Sequence, residues 1–412
     1  MWFSFKKIRR NIKHKAMTGM ALILSVAILS GCGIGKLQFP KVVDGGVVGE
    51  EIMHVSTIFA MDTVMDIQVY GGEEAEGLLA DAENQIRTLE KELSVTDENS
   101  EIAGLNAAGS ARLSNEPAQI LKEALRYCDS TGGALDITIY PVLRAWGFTT
   151  GEYQVPGDDE IAGLLENVDY RSVKLEEVFA DGSDDQAAGS NTEVDASALC
   201  TIPEGMQVDL GSVTKGYTSR KLAQYFRDNG VTSALINLGG NVECVGNKPN
   251  GSKWNVAVKS PFKDSDSGIL GVIQASDEAI ITSGGYERYF EENGETYWHI
   301  IDPSTGKPAR NGLISVTIIG KDGLMCDALS TALFVKGRDG AIDYYRKYSA
   351  ASTDSSSTAN DKTGNAADAA KQESSFDMIL VTTEGDVYIT PGVAERFSLS
   401  SEYHDLSLHV LD

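Results

Sequence analysis

One stretch near the middle of the chain combines an acid, glycines and a lysine directly before a helix-like segment. Residues 207–217 read QVDLGSVTKGY, and residues 213–229 have the pattern of a helix. Gly211 favours a turn, with Asp209 and Lys215 on either side of it. Backbone N–H groups at a helix N-terminus favour anions, and a lysine adds positive charge. The stretch therefore predicts an anion site, although turn, helix and lysine occur together in many folds.

A second pair of residues has the spacing of a metal site. Asp327 and Thr331, in CDALSTALFVKG (326–337), are four positions apart, so a helix would place both side chains on one face. A carboxylate and a hydroxyl are hard oxygen ligands, which Mg²⁺ prefers and supplements with water and phosphate oxygens. The alternative is that Asp327 caps a helix N-terminus while Thr331 is merely buried.

A histidine stands in the segment YWHIIDPSTGKP (297–308) and is a candidate base. Alternation along a strand would put His299 on the face opposite Trp298 and Ile300. An imidazole with its ordinary pKa of about 6.5 is suited to take a proton from a hydroxyl near neutral pH. The alternatives are a packed or surface histidine, or one that only hydrogen-bonds a ligand.

The segments around these residues predict an α+β fold with mixed sheets and flanking helices. Residues 63–71 read as a strand, and residues 75–95 and 116–133 have apolar positions at helical spacing. Further strands and helices follow without the regular alternation of a parallel β-α-β fold.

Composition and charge exclude one class of partner. The 412 residues include 42% hydrophobic side chains, enough for a sizeable core. The formal charge of −25 argues against nucleic acid, whose phosphates are bound by clustered lysine and arginine. The cysteines beyond residue 32 lack C-x-x-C spacing, so no zinc or redox site is indicated. Buried free thiols are expected at Cys128, Cys244 and Cys326.

The N-terminus predicts export and lipid anchoring. A basic segment with six Lys or Arg precedes an apolar run of 14 residues (17–30), short of the roughly 20 that span a bilayer. The sequence LSGC that follows resembles the bacterial lipobox. We therefore expect residues 1–31 to be a signal peptide, Cys32 to be lipidated and residues 32–54 to be a linker. The protein would lie at the outer face of the cell membrane.

Two low-complexity stretches predict surface insertions in an otherwise single domain. Residues 180–197 and 349–375 are rich in Ser, Ala, Asp and Thr and nearly lack large apolar side chains. Such segments cannot bury enough surface to offset the entropy of ordering. The folded domain is expected to span residues 55–412.

Seven segments, taken in chain order, resemble the ApbE family of FAD:protein FMN transferases. They cover about residues 55–396, and the patterns DLGxxxKGY, HIIDPxTGxP and DALSTALFVxG are the most specific. The segments are STGGALDITIYPVLRAWGF, MQVDLGSVTKGY, ALINLGGNV, WNVAVKSP, AIITSGGYERYF, YWHIIDPSTGKP and CDALSTALFVKG.

The resemblance implies an activity. Members of this family are α+β proteins that bind FAD and Mg²⁺ and transfer the FMN half of FAD to a Thr or Ser hydroxyl of a target protein, releasing AMP. The expected partners are FAD, acceptor flavoproteins such as subunits of membrane redox complexes, and the membrane that holds the lipid anchor.

The resemblance also implies site residues by position. Mg²⁺ is expected at the Asp327 carboxylate, the Thr331 hydroxyl and the main-chain carbonyl of Ser212. His299 and Asp327 are the expected catalytic residues. FAD contacts are expected from Met61, Ala134, Leu135, Asp136, Asp209, Lys215 and His299.

Two positions depart from the family pattern. Asp62 stands where members commonly have glycine, which predicts a different turn, and Thr96 stands near an aromatic position that often stacks on the flavin.

Two other functions stay open, namely hydrolysis of FAD to FMN and AMP and flavin binding without turnover. A protein that only binds has no need of metal ligands beside a phosphate-binding lysine.

Overall fold

The largest element of the fold is a ten-stranded sheet. In the computed structural model, which describes residues 38–43, 46–178, 197–353 and 375–412, neighbouring strands of this sheet are antiparallel except for one pair at an edge. In order across the sheet, the strands are Gln38–Val43 (β1), Gly46–Ala60 (β2), Thr63–Gly71 (β3), Ser233–Leu238 (β7), Asn241–Gly246 (β8), Ala279–Gly284 (β11), Leu313–Gly320 (β16), Phe376–Thr382 (β17), Val387–Ile389 (β18) and Leu408–Val410 (β20).

Four smaller sheets contain the other strands of the described part. One has three strands, Ser110–Leu113 (β4), Lys174–Val178 (β5) and Ser197–Thr201 (β6). A second consists of Trp254–Lys259 (β9), Ile269–Ala275 (β10) and Phe397–Leu399 (β19). Two short hairpins are formed by Tyr289–Glu292 (β12) with Glu295–Trp298 (β13), and by Ile301–Asp302 (β14) with Lys307–Pro308 (β15).

The helices connect these strands. The longest, Gly323–Thr353 (α7), bends at Gly337, where φ is 73°. Two short 3₁₀ turns cover Tyr170–Ser172 and Ser401–Tyr403. The α-helices of the described ranges are Glu74–Leu93 (α1), Glu101–Ala108 (α2), Asn115–Ser130 (α3), Tyr140–Ala145 (α4), Asp158–Leu165 (α5), Thr214–Asp228 (α6), Gly323–Thr353 (α7) and Pro391–Ala394 (α8).

Helices and a second sheet cover opposite faces of the large sheet, because its strands point alternate side chains to each face. Met65, Ile67 and Val69 of β3 pack with α1 and α6. Ile280 of β11 and Ile319 of β16 pack with β9 and β10 on the other side. The predicted α+β class, with mixed sheets and flanking helices, is confirmed.

The N-terminal boundary differs from the prediction. The linker expected at 32–54 ends earlier, because β1 and β2 pair with each other and β2 continues past residue 55. The expected signal peptide at 1–31 and the lipidation site Cys32 lie outside the described residues. Within the described ranges, no helix has the length and apolar character needed to cross a bilayer.

The two predicted insertions fall largely outside the described residues. Their described ends differ from the prediction, because Ser197 begins β6 and residues 349–353 continue α7. Strand β6 pairs with both β4 and β5, so its backbone groups have partners despite the polar composition nearby.

The turn between β2 and β3 forms without glycine. Met61 and Asp62 join the paired residues Ala60 and Thr63, and both have left-handed backbone angles, with φ of 48° and 58°. Two successive positive φ values are typical of two-residue hairpin turns. Aspartate tolerates this conformation better than most residues, and the Met61 N–H donates to Glu90 Oε1 of α1 at 2.6 Å. A left-handed conformation at position 62 is therefore adopted here without glycine, and the expected difference from family members stays a prediction.

Four cysteines of the described part are free and buried. Burial raises the pKa of Cys128 to about 12 and the pKa of Cys200 to about 11. It also raises the pKa values of Cys244 and Cys326. The thiolate, which is the reactive form, is therefore disfavoured at all four positions. The prediction of buried free thiols is confirmed.

Candidate active site

The segments singled out from the sequence meet around one cleft. Its volume is ≈ 570 Å³, within the range of about 300–1,000 Å³ for small-molecule sites. The predicted FAD, metal and catalytic residues all line it, namely Met61, Ala134, Leu135, Asp136, Asp209, Ser212, Lys215, His299, Asp327 and Thr331. Their individual roles stay predictions.

Asp327 is a buried acid near the start of α7, only 6% exposed. Its Oδ2 accepts a hydrogen bond of 2.8 Å from the main-chain N–H of Gly216 in the first turn of α6. Asp327 does not cap its own helix, because Asp322 stands directly before α7 and its Oδ1 accepts from the Met325 N–H at 3.1 Å. Its carboxylate instead accepts from one N–H at the positive end of α6.

Two glycines let α6 and α7 approach closely enough for this hydrogen bond. A Cβ atom on Gly216 would lie 2.2 Å from the carbonyl oxygen of Gly323, and a Cβ atom on Gly323 would lie 2.4 Å from the carbonyl oxygen of Gly216. Both distances are far inside van der Waals contact, and the atoms involved are backbone atoms that cannot rotate away. The position of Asp327 therefore depends on the absence of side chains at this crossing.

Asp327 lies in surroundings that suit a bound cation. Burial raises the pKa of its carboxyl, while the Lys215 ammonium and the Gly216 N–H act to lower it. Thr331 Oγ1, one turn further along α7, is 3.3 Å from the Ser283 hydroxyl. In the described ranges, no three or more His, Cys, Asp or Glu side chains gather as a metal cluster. One carboxylate with hydroxyl and carbonyl oxygens is a set that fits Mg²⁺, which retains water and phosphate ligands.

His299 lies in a bend between β13 and β14, and its expected place on a strand is wrong. The β12–β13 ladder ends at the pair Tyr289 and Trp298, after which the His299 N–H donates to the Arg288 carbonyl at 3.1 Å. The ring Nδ1 is 3.2 Å from the same carbonyl oxygen. A carbonyl only accepts, so Nδ1 carries the proton and Nε2 has a free lone pair.

The imidazole of His299 is held in its neutral form. Burial lowers its pKa to about 4, with the positive charges of Arg288 and Lys215 acting in the same direction. Protein atoms surround the ring, although part of its surface faces the solvent of the cleft. The ordinary pKa expected from the sequence is therefore wrong.

The carboxylates of two further predicted site residues, Asp136 and Asp209, accept hydrogen bonds from the protein itself. Asp136 accepts hydrogen bonds from the Thr138 N–H at 2.8 Å, the Thr138 hydroxyl at 2.6 Å and the Tyr170 N–H at 3.2 Å. Asp209 Oδ1 accepts from the Gly211 N–H at 2.8 Å. Burial raises the pKa of both carboxyls. Asp209 lies in a loop, and an isolated bridge joins Gln207 to Ile139 just before it.

Sequence reasoning did not assign several residues that line the cleft. Asn241 follows LGG at the start of β8, Lys259 ends β9, and Glu287 and Arg288 follow SGG after β11. Each of these four residues lies in a segment that carries the family resemblance. Membership of those segments is the sequence signal by which they could have been assigned to the site. Thr96 also lines the cleft, and among the described lining residues only Phe148 and His299 carry aromatic rings.

The fold and the cleft define an α+β protein with a site suited to a phosphorylated small molecule. The chain belongs to the ApbE family, whose family model matches residues 61–353.

Individual relatives agree with this assignment. The chain is 31% identical to the FAD:protein FMN transferase of Treponema pallidum over 301 residues, 69% of this chain and 79% of the relative. It is 29% identical to the enzyme of the same name from Vibrio cholerae over 296 residues, 70% of this chain and 83% of the relative. The crystal structure of the ApbE protein of Thermotoga maritima superposes with a TM-score of 0.63 at 27% identity and covers 81% of this chain and 96% of that one.

Gly216→Ala is expected to destabilise the fold and displace Asp327. The added methyl group meets the Gly323 carbonyl, and overpacking of this kind costs about 1–3 kcal/mol. Thermal unfolding of the full-length chain measures the loss. Gly77→Ala is the matched control, because Gly77 is a helical glycine in α1 with open space around its Cβ position. That change should be neutral or stabilise by up to about 1 kcal/mol. Equal melting temperatures for the two variants would contradict the close helix crossing.

His299 should show no titration between about pH 5 and 8, where an unperturbed histidine changes charge. NMR titration of its ring resonances measures this, and a midpoint of about 6.5 would refute the neutral assignment. Arg288→Gln tests how much the charge of Arg288 adds to the effect of burial on the pKa of His299. It retains the main-chain carbonyl that accepts from Nδ1 but removes the nearby positive charge, so the pKa of His299 should rise.

Proposed function

We propose that this protein is an FAD:protein FMN transferase, which moves the FMN half of FAD to a Thr or Ser hydroxyl of an acceptor flavoprotein and releases AMP. The observation that carries the proposal is the convergence on one cleft of the predicted residues, with buried Asp327 beside Lys215 and Thr331. The names of its relatives in the ApbE family support the same activity.

The metal and the phosphates belong at one part of the cleft. Asp327, Thr331 and the Ser212 carbonyl would hold Mg²⁺, and Lys215 would bind the pyrophosphate of FAD. When bound, Mg²⁺ supplies positive charge that stabilises the phosphoryl group during transfer. Asp327 is suited to this role because its buried carboxylate is already oriented by the Gly216 N–H.

His299 is the candidate base for the acceptor hydroxyl. Its Nε2 lone pair accepts the hydroxyl proton while the hydroxyl oxygen forms a bond to the FMN phosphorus. The bond from that phosphorus to the bridging oxygen breaks, and AMP leaves with the bridging oxygen. The low pKa of His299, lowered by burial and by Arg288, makes it a weak base in the free protein. A bound pyrophosphate brings negative charge that raises it.

The acceptor is proposed to lie at the outer face of the cell membrane. The LSGC sequence favours lipidation of Cys32 and anchoring there. The proposed acceptors in that location include subunits of membrane redox complexes. Nucleic acid is disfavoured as a partner by the formal charge of −25.

Asp327→Asn should lower AMP release by a factor of about 10²–10³, as expected when one preorganised charge is lost at a phosphoryl centre. Asparagine retains a side-chain oxygen that accepts from the Gly216 N–H, so the melting temperature should stay near that of the parent. AMP release from FAD is measured with an acceptor protein across Mg²⁺ concentrations.

Thr331→Val is the matched comparison, because it removes a neutral ligand that water replaces. Its loss should be smaller and partly reversed by raised Mg²⁺. Parental rates in Asp327→Asn, or parental activity in excess EDTA, would show that the metal site is wrong. AMP release without covalent flavin on the acceptor would instead identify the protein as an FAD hydrolase.

Cys32→Ala should yield an active protein that is released from the membrane. Lipid chains provide the anchoring free energy in this proposal, since the apolar run before Cys32 is short for a spanning helix. Cell fractionation with an activity assay tests it. A variant that stays in the membrane pellet would mean that another segment anchors the chain.

A further inference from the structure

Asn241 is a buried side chain on the wall of the cleft whose amide lacks a partner. It is 2% exposed, and its Nδ2 forms no hydrogen bond within the part of the chain that the structure describes. The pKa of Asp327, raised mainly by burial, is lowered in part by a side-chain hydrogen-bonding contact from Asn241, so the two groups are close. By distance and angle this contact falls short of a full hydrogen bond, so it engages the amide only weakly. Buried polar groups are paired in the large majority of cases.

The backbone that carries Asn241 is fixed by a tight turn. Gly239 and Gly240, with φ of 65° and 103°, join β7 to β8. A Cβ atom on Gly239 would lie 2.1 Å from the Thr63 hydroxyl oxygen, so β3 packs directly on the turn. The Gly240 N–H donates to Asn237 Oδ1 at 2.9 Å. The unpaired amide is therefore held in place by its surroundings.

We propose that the Asn241 amide binds a phosphoryl oxygen of FAD beside Asp327 and Lys215. The inference rests on the proposed function, because it requires a pyrophosphate in this cleft. Phosphoryl oxygens accept hydrogen bonds, and preorganised donors aimed at developing negative charge stabilise phosphoryl transfer. A neutral amide has an advantage here over a further positively charged side chain beside Lys215 and the proposed Mg²⁺. The amide donates to the phosphate but does not form an ion pair with Asp327.

The experiment replaces the amide in the full-length chain with Asn241→Leu, which has similar volume and no donor, and with Asn241→Asp. In Asn241→Leu, the melting temperature without FAD should equal or exceed that of the parent, because only a weak contact with Asp327 is lost and a buried, poorly paired amide is removed. The rise in melting temperature on adding FAD and Mg²⁺ should shrink. AMP release should fall by about 10²-fold or more. Asn241→Asp should lose more, since its carboxylate repels phosphate.

Asn237→Asp is the matched control in the same turn. It retains an oxygen for the Gly240 N–H and does not line the cleft, so it should match the parent in all three measurements. Parental FAD response and AMP release in Asn241→Leu would overturn the proposal. A lower melting temperature with parental kinetics would overturn it too, since Asn241 would then be structural.

Two further outcomes separate this inference from neighbouring ideas. A raised Mg²⁺ requirement with an unchanged response to FAD would mean that Asn241 binds the metal through its oxygen, which overturns the donor role. Failure of the parent chain itself to respond to FAD and to release AMP would overturn both this inference and the proposed function. Parental activity that is lost only in the Asn241 variants supports both.

Discussion

The hydrogen bond from the Gly216 N–H to Asp327 is the interaction on which the cleft depends. It joins residues 111 positions apart, and it exists only because α6 and α7 cross where both helices carry glycine. Lys215 precedes Gly216 directly, so the same crossing brings an ammonium group near the buried carboxylate. Ser212 stands just before α6 and Thr331 one turn beyond Asp327 on α7. One backbone contact thus assembles groups from two distant segments.

The electrostatics of the cleft are local and differ from those of the whole chain. The protein carries a formal charge of −25, yet Lys215, Lys259 and Arg288 all line the cleft. Buried carboxyls there have raised pKa values because desolvation disfavours their charged forms. The lysine and arginine charges stabilise those carboxylates. Under the proposed function, a metal ion would add to this effect, and the phosphates of the ligand would bring negative charge that the cations balance.

The sequence was sufficient where a pattern within one element determines position, and insufficient where neighbours come from elsewhere. Helical spacing correctly placed Asp327 and Thr331 on one helix, and the quoted segments converge as the family resemblance implied. The strand expected at His299 is absent because the ladder ends one residue earlier and the chain bends. Nothing local indicates that the α6 N-terminus receives Asp327, or that Asn241 is buried without a partner. Those facts depend on contacts between segments more than a hundred residues apart or on burial by several strands.

The four buried thiols have a consequence for how the protein tolerates oxidants. Each one is enclosed by apolar side chains and kept protonated, so neither peroxide nor a disulfide-exchange partner meets a thiolate. Folding then needs no oxidase or isomerase to reach the correct pairing, since these cysteines pair with nothing. In the proposed location outside the cytoplasm, where thiols are commonly converted to disulfides, these four cysteines would stay unpaired under both oxidising and reducing conditions. Folding of the described part of the chain would then not depend on disulfide formation.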